Sequence, residues 1–478
     1  MEPFQVSDTI AAISTPPGMG GIAVIRISGP EAISIVNSAW KGADLLKVAS
    51  HTAHLGRYFA TDASVIDECV ATVYKNPASF TGEDIVELSV HGSSWIQKEL
   101  LADLVKRGAR IANPGEFTQR AFLNGKLDLA QAEGVADLIS SSSKAAHDLA
   151  ISQTRGNFSK EFNALRDKLI EFASLIELEL DFSEEDVEFA DRSALIDLCT
   201  QVLEKVNSLA DSFSRGAVLK NGVPVVIAGI PNAGKSSLLN LLLGDDKAIV
   251  TDIPGTTRDT IEDTTEFDGI LYRFIDTAGL RDTTDMVESI GVDRAKAALV
   301  KAFIAIWMMD STMPIEPQLQ PMLEFHYSHP DTPIIPLLNK SDLASQSPLS
   351  NQLNSDSIES VIQQFLAQPK GGSIYSPIYF STLTRQGLSD LLSRLKSIIT
   401  ANSNPETDII ITNARHFEAL TRASVALTRA KENLLLSVST DLTAQDIREA
   451  ISYLSTLTGS ITSDTLLHSI FSRFCIGK

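Results

Sequence analysis

The chain has 478 residues, 44% apolar and 21% charged, with 60 acidic against 40 basic side chains and a formal net charge of −20. That length accommodates about three domains with separate cores, and the negative charge excludes non-specific nucleic-acid binding by the whole surface, which needs a basic face. The apolar run Ala302–Met309 falls far short of the roughly 18 residues of a membrane span, and Cys69, Cys199 and Cys475 lie too far apart for paired CxxC zinc spacing.

In chain order, short β-like runs such as Gly21–Ile27 and Ile85–Val90 alternate with helical ones, predicting a small α/β domain over 1–122. Its densest basic stretch, Lys106, Arg107, Arg110, Arg120 and Lys126, reads either as a local RNA contact or as a solvated helix face. Phe158, Phe162, Leu165, Leu169, Phe172 and Ile176 alternate four and three apart, and Leu195, Leu198, Val202, Val206, Leu209 and Phe213 continue similarly, the pattern of long packed helices. Between them the acidic Asp181–Glu188 reads as a helix cap with solvated carboxylates rather than a cation site. The run Val223–Ala228 predicts a strand leading into Gly229-Ile-Pro-Asn-Ala-Gly-Lys-Ser236, and strand-like Leu271–Ile275, Ile334–Leu338 and Ile378–Phe380 each precede a polar loop. Ser311–Pro333 and Ala344–Ser373, rich in Pro, Ser, Gln and Gly, are expected as surface loops or short helices. Helical periodicity resumes at Leu388, Leu391, Leu395 and Ile398, then at Phe417, Leu420, Ala423 and Leu427. A domain over 220–384 is therefore expected as an insertion between helical halves 123–219 and 385–478.

The segment Gly229–Ser236 matches G-x-x-x-x-G-K-[ST] between a strand and a helix, where backbone N–H groups, Asn232 to Ser237 among them, turn onto phosphate oxygens. Lys235 supplies a point charge for the β and γ phosphates, and the Ser236 hydroxyl suits Mg²⁺. Asp276-Thr277-Ala278-Gly279 sets a carboxylate at a strand end near the metal and a glycine N–H for the γ phosphate. In Asn339-Lys340-Ser341-Asp342 the carboxylate of Asp342 accepts from both N1–H and the exocyclic amine of guanine, donors that adenine lacks, so the nucleotide expected is GTP or GDP. Ser381-Thr382-Leu383 fits a loop capping the base from the other side. The fold class is α/β plus all-α: an N-terminal α/β domain, a discontinuous helical domain and an inserted P-loop domain of Ras-like kind.

Four further segments carry a specific resemblance: Pro254-Gly-Thr-Thr-Arg-Asp259, Asp8-Thr-Ile-Ala-Ala-Ile-Ser-Thr-Pro-Pro-Gly18, Asn113-Pro-Gly-Glu-Phe-Thr-Gln-Arg-Ala-Phe-Leu-Asn124 and Phe474-Cys-Ile-Gly-Lys478. Together they resemble the tRNA-modification GTPase family MnmE (TrmE), across the whole chain. The resemblance implies a homodimer joined through N-terminal domains, working with the FAD-containing partner MnmG (GidA) on the wobble uridine of certain tRNAs. It implies 5-formyltetrahydrofolate at the N-terminal interface, with contacts carried over onto Arg26, Glu87, Lys126 and Lys478. It also implies K⁺ held by Asn232 and the Thr251–Thr256 loop, Ile253 included, in place of an arginine such as Arg258 or Arg281. Thr257 then joins Ser236 on Mg²⁺, Thr256 and Lys235 act at the transferring phosphate, and Glu288 orients the attacking water. The residues alone leave ordinary ion pairs or solvated charges open at the folate positions and at Glu288.

Cys475 reads equally as a nucleophile toward a uridine ring or as a reduced, half-buried thiol, and His91, His147 and His468 show no ligand spacing. Met1-Glu-Pro-Phe has no signal-peptide character, and a cytoplasmic protein is expected. Two other classes stand beside the main reading. One is a ribosome-assembly GTPase of the Era or EngA kind, which needs a KH-type domain. The other is a regulatory scaffold without modification chemistry.

Overall fold

The computed structural model describes residues 8–181, 192–244, 262–276, 302–344, 374–400, 409–436, 440–461, 463–472, 474, 475 and 477. The chain divides into two compact units, one formed by Met1–Ser140, Ala150–Val206 and Glu418–Lys478, the other by Ser141–Leu149 and Asn207–Phe417.

The first unit opens with β1 (Ile10–Ile13), β2 (Ile22–Ser28), β3 (Trp40–Lys41), β4 (Thr52–Phe59), β5 (Val65–Tyr74), β6 (Ile85–His91) and β7 (Arg110–Ile111), ordered β3-β4-β5-β6-β2-β1-β7 in one sheet. All neighbours are antiparallel except β1 and β7. Alternation along β2 sends Ala23, Ile25 and Ile27 into a core with Val36 of α1 (Ala32–Ala39) and Leu100 and Leu104 of α2 (Ser94–Lys106). Arg26 consequently projects to the opposite face, where Ile10, Ala12 and Ala112 pack with Phe117 of α3 (Glu116–Leu123).

Five helices follow: α4 (Leu129–Ser140), α5 (Lys144–Thr154), α6 (Asn157–Asp181), α7 (Arg192–Asp211) and α8 (Phe213–Asn221). Every apolar position expected along α6 is buried, whereas on α7 the buried face takes Cys199 and leaves Leu198 half-exposed. Residues 182–188 of the acidic connection lie outside the described residues.

The second unit is built on β8 (Val223–Gly229), α9 (Lys235–Gly244), β9 (Glu262–Phe267), β10 (Ile270–Asp276), β11 (Ile304–Asp310), α10 (Glu316–Ser328), β12 (Ile334–Asn339), α11 (Ser341–Ala344), β13 (Ile378–Tyr379) and α12 (Leu388–Thr400). The sheet runs β13-β12-β11-β8-β10-β9, parallel apart from the edge strand β9. Such strands are covered on both faces and so read as unbroken apolar runs. Val223, Val225 and Ile227 face Leu238 and Leu242 of α9 and Leu391, Leu395 and Ile399 of α12, while Val226 and Ala228 face Leu319, Met322 and Phe325 of α10. Two local expectations meet this packing. The stretch Ser311–Pro333 holds a 13-residue helix, because Leu319, Met322 and Phe325 share a buried stripe despite its prolines. The periodic Leu388–Ile398 segment packs on the β8 sheet, in the same core as the strands it follows.

The chain then forms α13 (Ala414–Leu435), α14 (Thr440–Thr458) and α15 (Asp464–Phe471). Helix α14 lies along α6, and Leu467 and Phe471 of α15 pack with Leu129 and Ala132 of α4. No described helix is long and apolar enough to cross a membrane.

Candidate functional site

The phosphate loop leaves the C-terminal end of β8, flanked by β10 and β11, the crevice position where open α/β sheets bind ligands. Its glycines answer to close approach. A Cβ on Gly229 (φ +137°) would stand 2.1 Å from Met308 O, and one on Gly234 (φ +100°) 2.3 Å from Asn339 Nδ2. Asn232 also has positive φ, +61°, and is exposed with Ser236 and Ser237. Lys235 arches back over the loop, its Nζ donating to Gly229 O (3.0 Å) and Ile230 O (2.8 Å), so the ammonium sits where phosphate oxygens would compete for it. Ala233 is buried. The start of α9 at Lys235 aims unsatisfied helix N–H groups and the positive dipole end at the same space.

The base loop is tied to the phosphate loop through one side chain. Asn339, buried at the end of β12, donates from Nδ2 to Ala233 O (2.7 Å) and accepts at Oδ1 from Thr382 N (3.1 Å). Three of the four expected nucleotide segments are thereby joined. Ser381 is buried and its Oγ accepts from Thr384 N, whereas Leu383 is 84% exposed. Asp342, in the first turn of α11, is half-buried. Lys340 stands at φ +65° with Nζ 2.6 Å from Asp310 Oδ2. Burial alone would raise the Asp310 carboxyl, but hydrogen bonds from Lys340 and Thr312 outweigh it and hold its pKa below the usual carboxylate range. Asp310 escaped the motif reading, although the signal was present: it is the polar end of an apolar strand, like Asp276 and Asn339. The backbone of Asp276 pairs with Ile227, at the loop side of the sheet. Thr251, Ile253, Thr256, Thr257, Arg258, Thr277, Ala278, Gly279, Arg281 and Glu288 lie outside the described residues.

In the N-terminal unit Arg26 and Glu87 are register partners on β2 and β6 and form an ion pair, Nε and Nη2 each 2.8 Å from Oε1. The guanidinium lies 5.6 Å from the ring centres of both Phe80 and Phe117 and donates from Nη1 to Gly477 O (3.5 Å). Gly477 is fixed beside β1: Ser14 Oγ donates to its carbonyl at 3.1 Å, and a Cβ there (φ +95°) would stand 2.4 Å from Ile13 O. Gly477 thus meets the end of β1 and Arg26 of β2. Lys126 lies between α3 and α4, its Nζ donating to Pro77 O in the segment before β6 at 3.0 Å, and Lys478 lies outside the described residues.

In the basic stretch the three arginines are paired with carboxylates of their own unit rather than standing as free solvated charges. Arg107 bonds Asp103 (2.6 Å), Arg110 bonds Asp8 (2.7 Å) and Glu116 (2.6 Å), and the 4%-exposed Arg120 side chain holds Glu83 (3.1 Å), Glu116 (3.0 Å) and Asp8. Cys475 is exposed and its backbone carbonyl accepts from Gly115 N, while burial pushes the thiols of Cys69 and Cys199 up to about 12 and about 11. His91 Nδ1 is 2.8 Å from Asp67 Oδ1.

A parallel sheet with a glycine loop at its switch point, a helix N-terminus behind it and a buried asparagine linking a base loop to a phosphate loop defines a P-loop GTPase. The family model described as GTP-binding protein TrmE N-terminus matches residues 9–126, and that described as MnmE helical domain matches 129–475. The chain is 46% identical to the tRNA modification GTPase MnmE of Cytophaga hutchinsonii, covering 99% of this chain and 98% of the relative. It is 48% identical to the protein of that name from Bacteroides fragilis, covering 98% and 99%. The chain belongs to the MnmE family of tRNA modification GTPases: it binds and hydrolyses GTP and acts in tRNA modification.

Proposed function

We propose that GTP turnover by this chain drives a conformational step in building a (carboxymethyl)aminomethyl group on C5 of the wobble uridine, in the cytoplasm. It does so as a homodimer joined through its N-terminal domain, together with an FAD-containing partner of the MnmG (GidA) kind. The observation that carries this reading is likeness to one family along nearly the whole of both chains, rather than over the nucleotide-binding part alone. That coverage favours it over an Era-type assembly factor. The division proposed is 1–122 for folate binding and dimerisation, 123–219 with 385–478 as the helical domain, and 220–384 for GTP, except that α12 of the 385–478 part goes with the GTP domain, in whose core it packs.

In the nucleotide site the loop N–H groups and Lys235 bind and orient the phosphates, and Asp342 selects guanine. The exposed Ser236 hydroxyl in the first turn of α9 fits a hard cation and would hold Mg²⁺ with Thr257. When bound, Mg²⁺ neutralises charge on the β and γ phosphates. The exposed Asn232 at the lip of the loop fits an oxygen ligand for K⁺, which Thr251, Ile253 and Thr256 would hold with it, and Glu288 would position the attacking water. Loss of one electrostatic stabiliser costs about 10² to 10³ in turnover. Hydrolysis is expected to fall by about that factor when Na⁺ replaces K⁺, and Asn232→Ala to erase the preference. Equal rates in both salts, with a large loss in Arg258→Ala or Arg281→Ala, would favour an arginine instead.

The half-buried Arg26–Glu87 pair between two aromatic rings suits a folate, whose pterin a carboxylate grips and whose glutamate tail cations hold, with Lys126 and Lys478 as the further cations. Reconstitution with the FAD partner, 5-formyltetrahydrofolate, GTP and undermodified tRNA, followed by nucleoside analysis, tests the whole. Deleting Lys478 is expected to abolish product while leaving GTP hydrolysis nearly intact. Normal product from the truncated chain removes the C-terminal residue from the reaction.

A further inference from the structure

β11 ends in a carboxylate for which the nucleotide motifs have no role. Asp310 is 3% exposed, and its backbone is clamped by the buried Gln318 of α10: Asp310 N donates to Gln318 Oε1 at 2.8 Å, and Gln318 Nε2 donates to Asp310 O at 3.0 Å. Its Oδ1 accepts from Thr312 N (2.9 Å) and Thr312 Oγ1 (2.6 Å), leaving Oδ2 for Lys340 Nζ at 2.6 Å. The carboxylate is thus held at both oxygens, Oδ1 by the adjacent Thr312 and Oδ2 by the lysine. Lys340 has a left-handed backbone, φ +65°, which a long side chain rarely adopts without support. It adjoins Asn339, which bonds both Ala233 of the phosphate loop and Thr382 of the capping loop.

We propose that Asp310 is a positioning residue for guanine-nucleotide binding: it holds Lys340, and through it the turn Asn339–Asp342, in the geometry the base meets. The inference rests on the assignment of that turn to the base. A lysine stem free to change rotamer must be ordered when the nucleotide binds, whereas one already anchored to a fixed carboxylate has lost that freedom beforehand, which raises affinity. Because the base is common to both nucleotides, GTP and GDP gain equally.

Asp310→Asn keeps the size of the side chain and an acceptor for Thr312 while removing the charge. Titration of the full chain with fluorescent GTP and GDP is expected to show both bound about tenfold more weakly. Adding Asp310→Asn to Lys340→Met is expected to cost less than about twofold further, since the pair is already broken. Losses that multiply in the double variant would mean that Asp310 only supports the strand end, and they overturn the inference, as do unchanged affinities in Asp310→Asn. Should Asp310→Asn fail to fold, Lys340→Met carries the test, because Asp310 acts only through that lysine and unchanged affinities there also overturn it. Asp342→Asn on the same titration separates the underlying reading. Undiminished GTP affinity in that variant removes the turn from base recognition, whereas a loss there with none in Asp310→Asn rejects the positioning role alone.

Discussion

At Gly234 a single hydrogen atom decides the geometry of the nucleotide site. The residue has φ +100°, and any Cβ would fall 2.3 Å from the amide nitrogen of Asn339, which must stay in place to bond Ala233. Gly234→Ala is therefore expected to displace Asn339, separating base loop from phosphate loop, and to weaken both GTP and GDP at least tenfold. Strain at such a position also costs of order 1 kcal/mol or more of folding stability. Calorimetric titration with GDP checks it, and an alanine variant of undiminished affinity would mean that the loops are not coupled there. The motif residues themselves were legible because phosphate chemistry demands glycines, a lysine and a hydroxyl at fixed spacing. Asp310 was visible only as the polar end of an apolar strand; its contact with Lys340, 30 residues away, is one that no local pattern records.

Among the elements, the ion-pair network under α3 shows the same limit more sharply. Glu116 is fully buried between Arg110 and Arg120, which also hold Asp8 and Glu83, groups scattered over more than a hundred residues. Read as sequence, the arginines are a basic stretch; read in the fold, they fasten α3 to β1, β7 and the turn before β6. Burial pushes the Glu116 carboxyl up, but hydrogen bonds from Arg110, Asn113 N and Arg120 outweigh it, so its folded pKa is lowered. A group with a lowered folded pKa contributes stability that is complete above its unfolded value, about 4.3, and is lost as pH falls through the folded value. Glu116→Gln is expected to destabilise the chain by about 3 kcal/mol at pH 7, since it leaves the buried Arg120 guanidinium, and the half-exposed one of Arg110, short of charge. The gap from the unaltered protein is expected to narrow below about pH 4. Urea unfolding at the two pH values checks this, and a gap independent of pH would contradict it. Strands and helices were otherwise readable wherever one face is apolar, as along α6 and β8. Periodicity names a buried stripe without naming its partner, which is why α12 could be foreseen as a helix but not as cover for the β8 sheet.

For the molecule as a whole, the chain crosses four times between its two compact units: a short excursion at Ser141–Leu149 precedes the long one at Asn207–Phe417. Family membership was readable from four short segments at widely separated positions; Pro254–Asp259 lies outside the described residues, and two of the others hold closely confined glycines. Gly115 and Gly477 illustrate it: a Cβ on Gly115 would stand 2.6 Å from Phe471 O, and one on Gly477 would meet Ile13 O. Those contacts hold the 113–124 segment against α15 and the C-terminal segment against the end of β1. The central claim is that the GTP site serves tRNA modification. It is tested most directly by wobble-uridine nucleoside analysis of tRNA from cells whose own protein of this kind is replaced by this chain or by its Lys235→Ala variant. The unaltered chain is expected to restore the modified nucleoside, and Lys235→Ala, deprived of the charge that binds the phosphates, to leave the uridine unmodified at equal protein level. Full modification by a Lys235→Ala protein that no longer binds GTP would contradict the account.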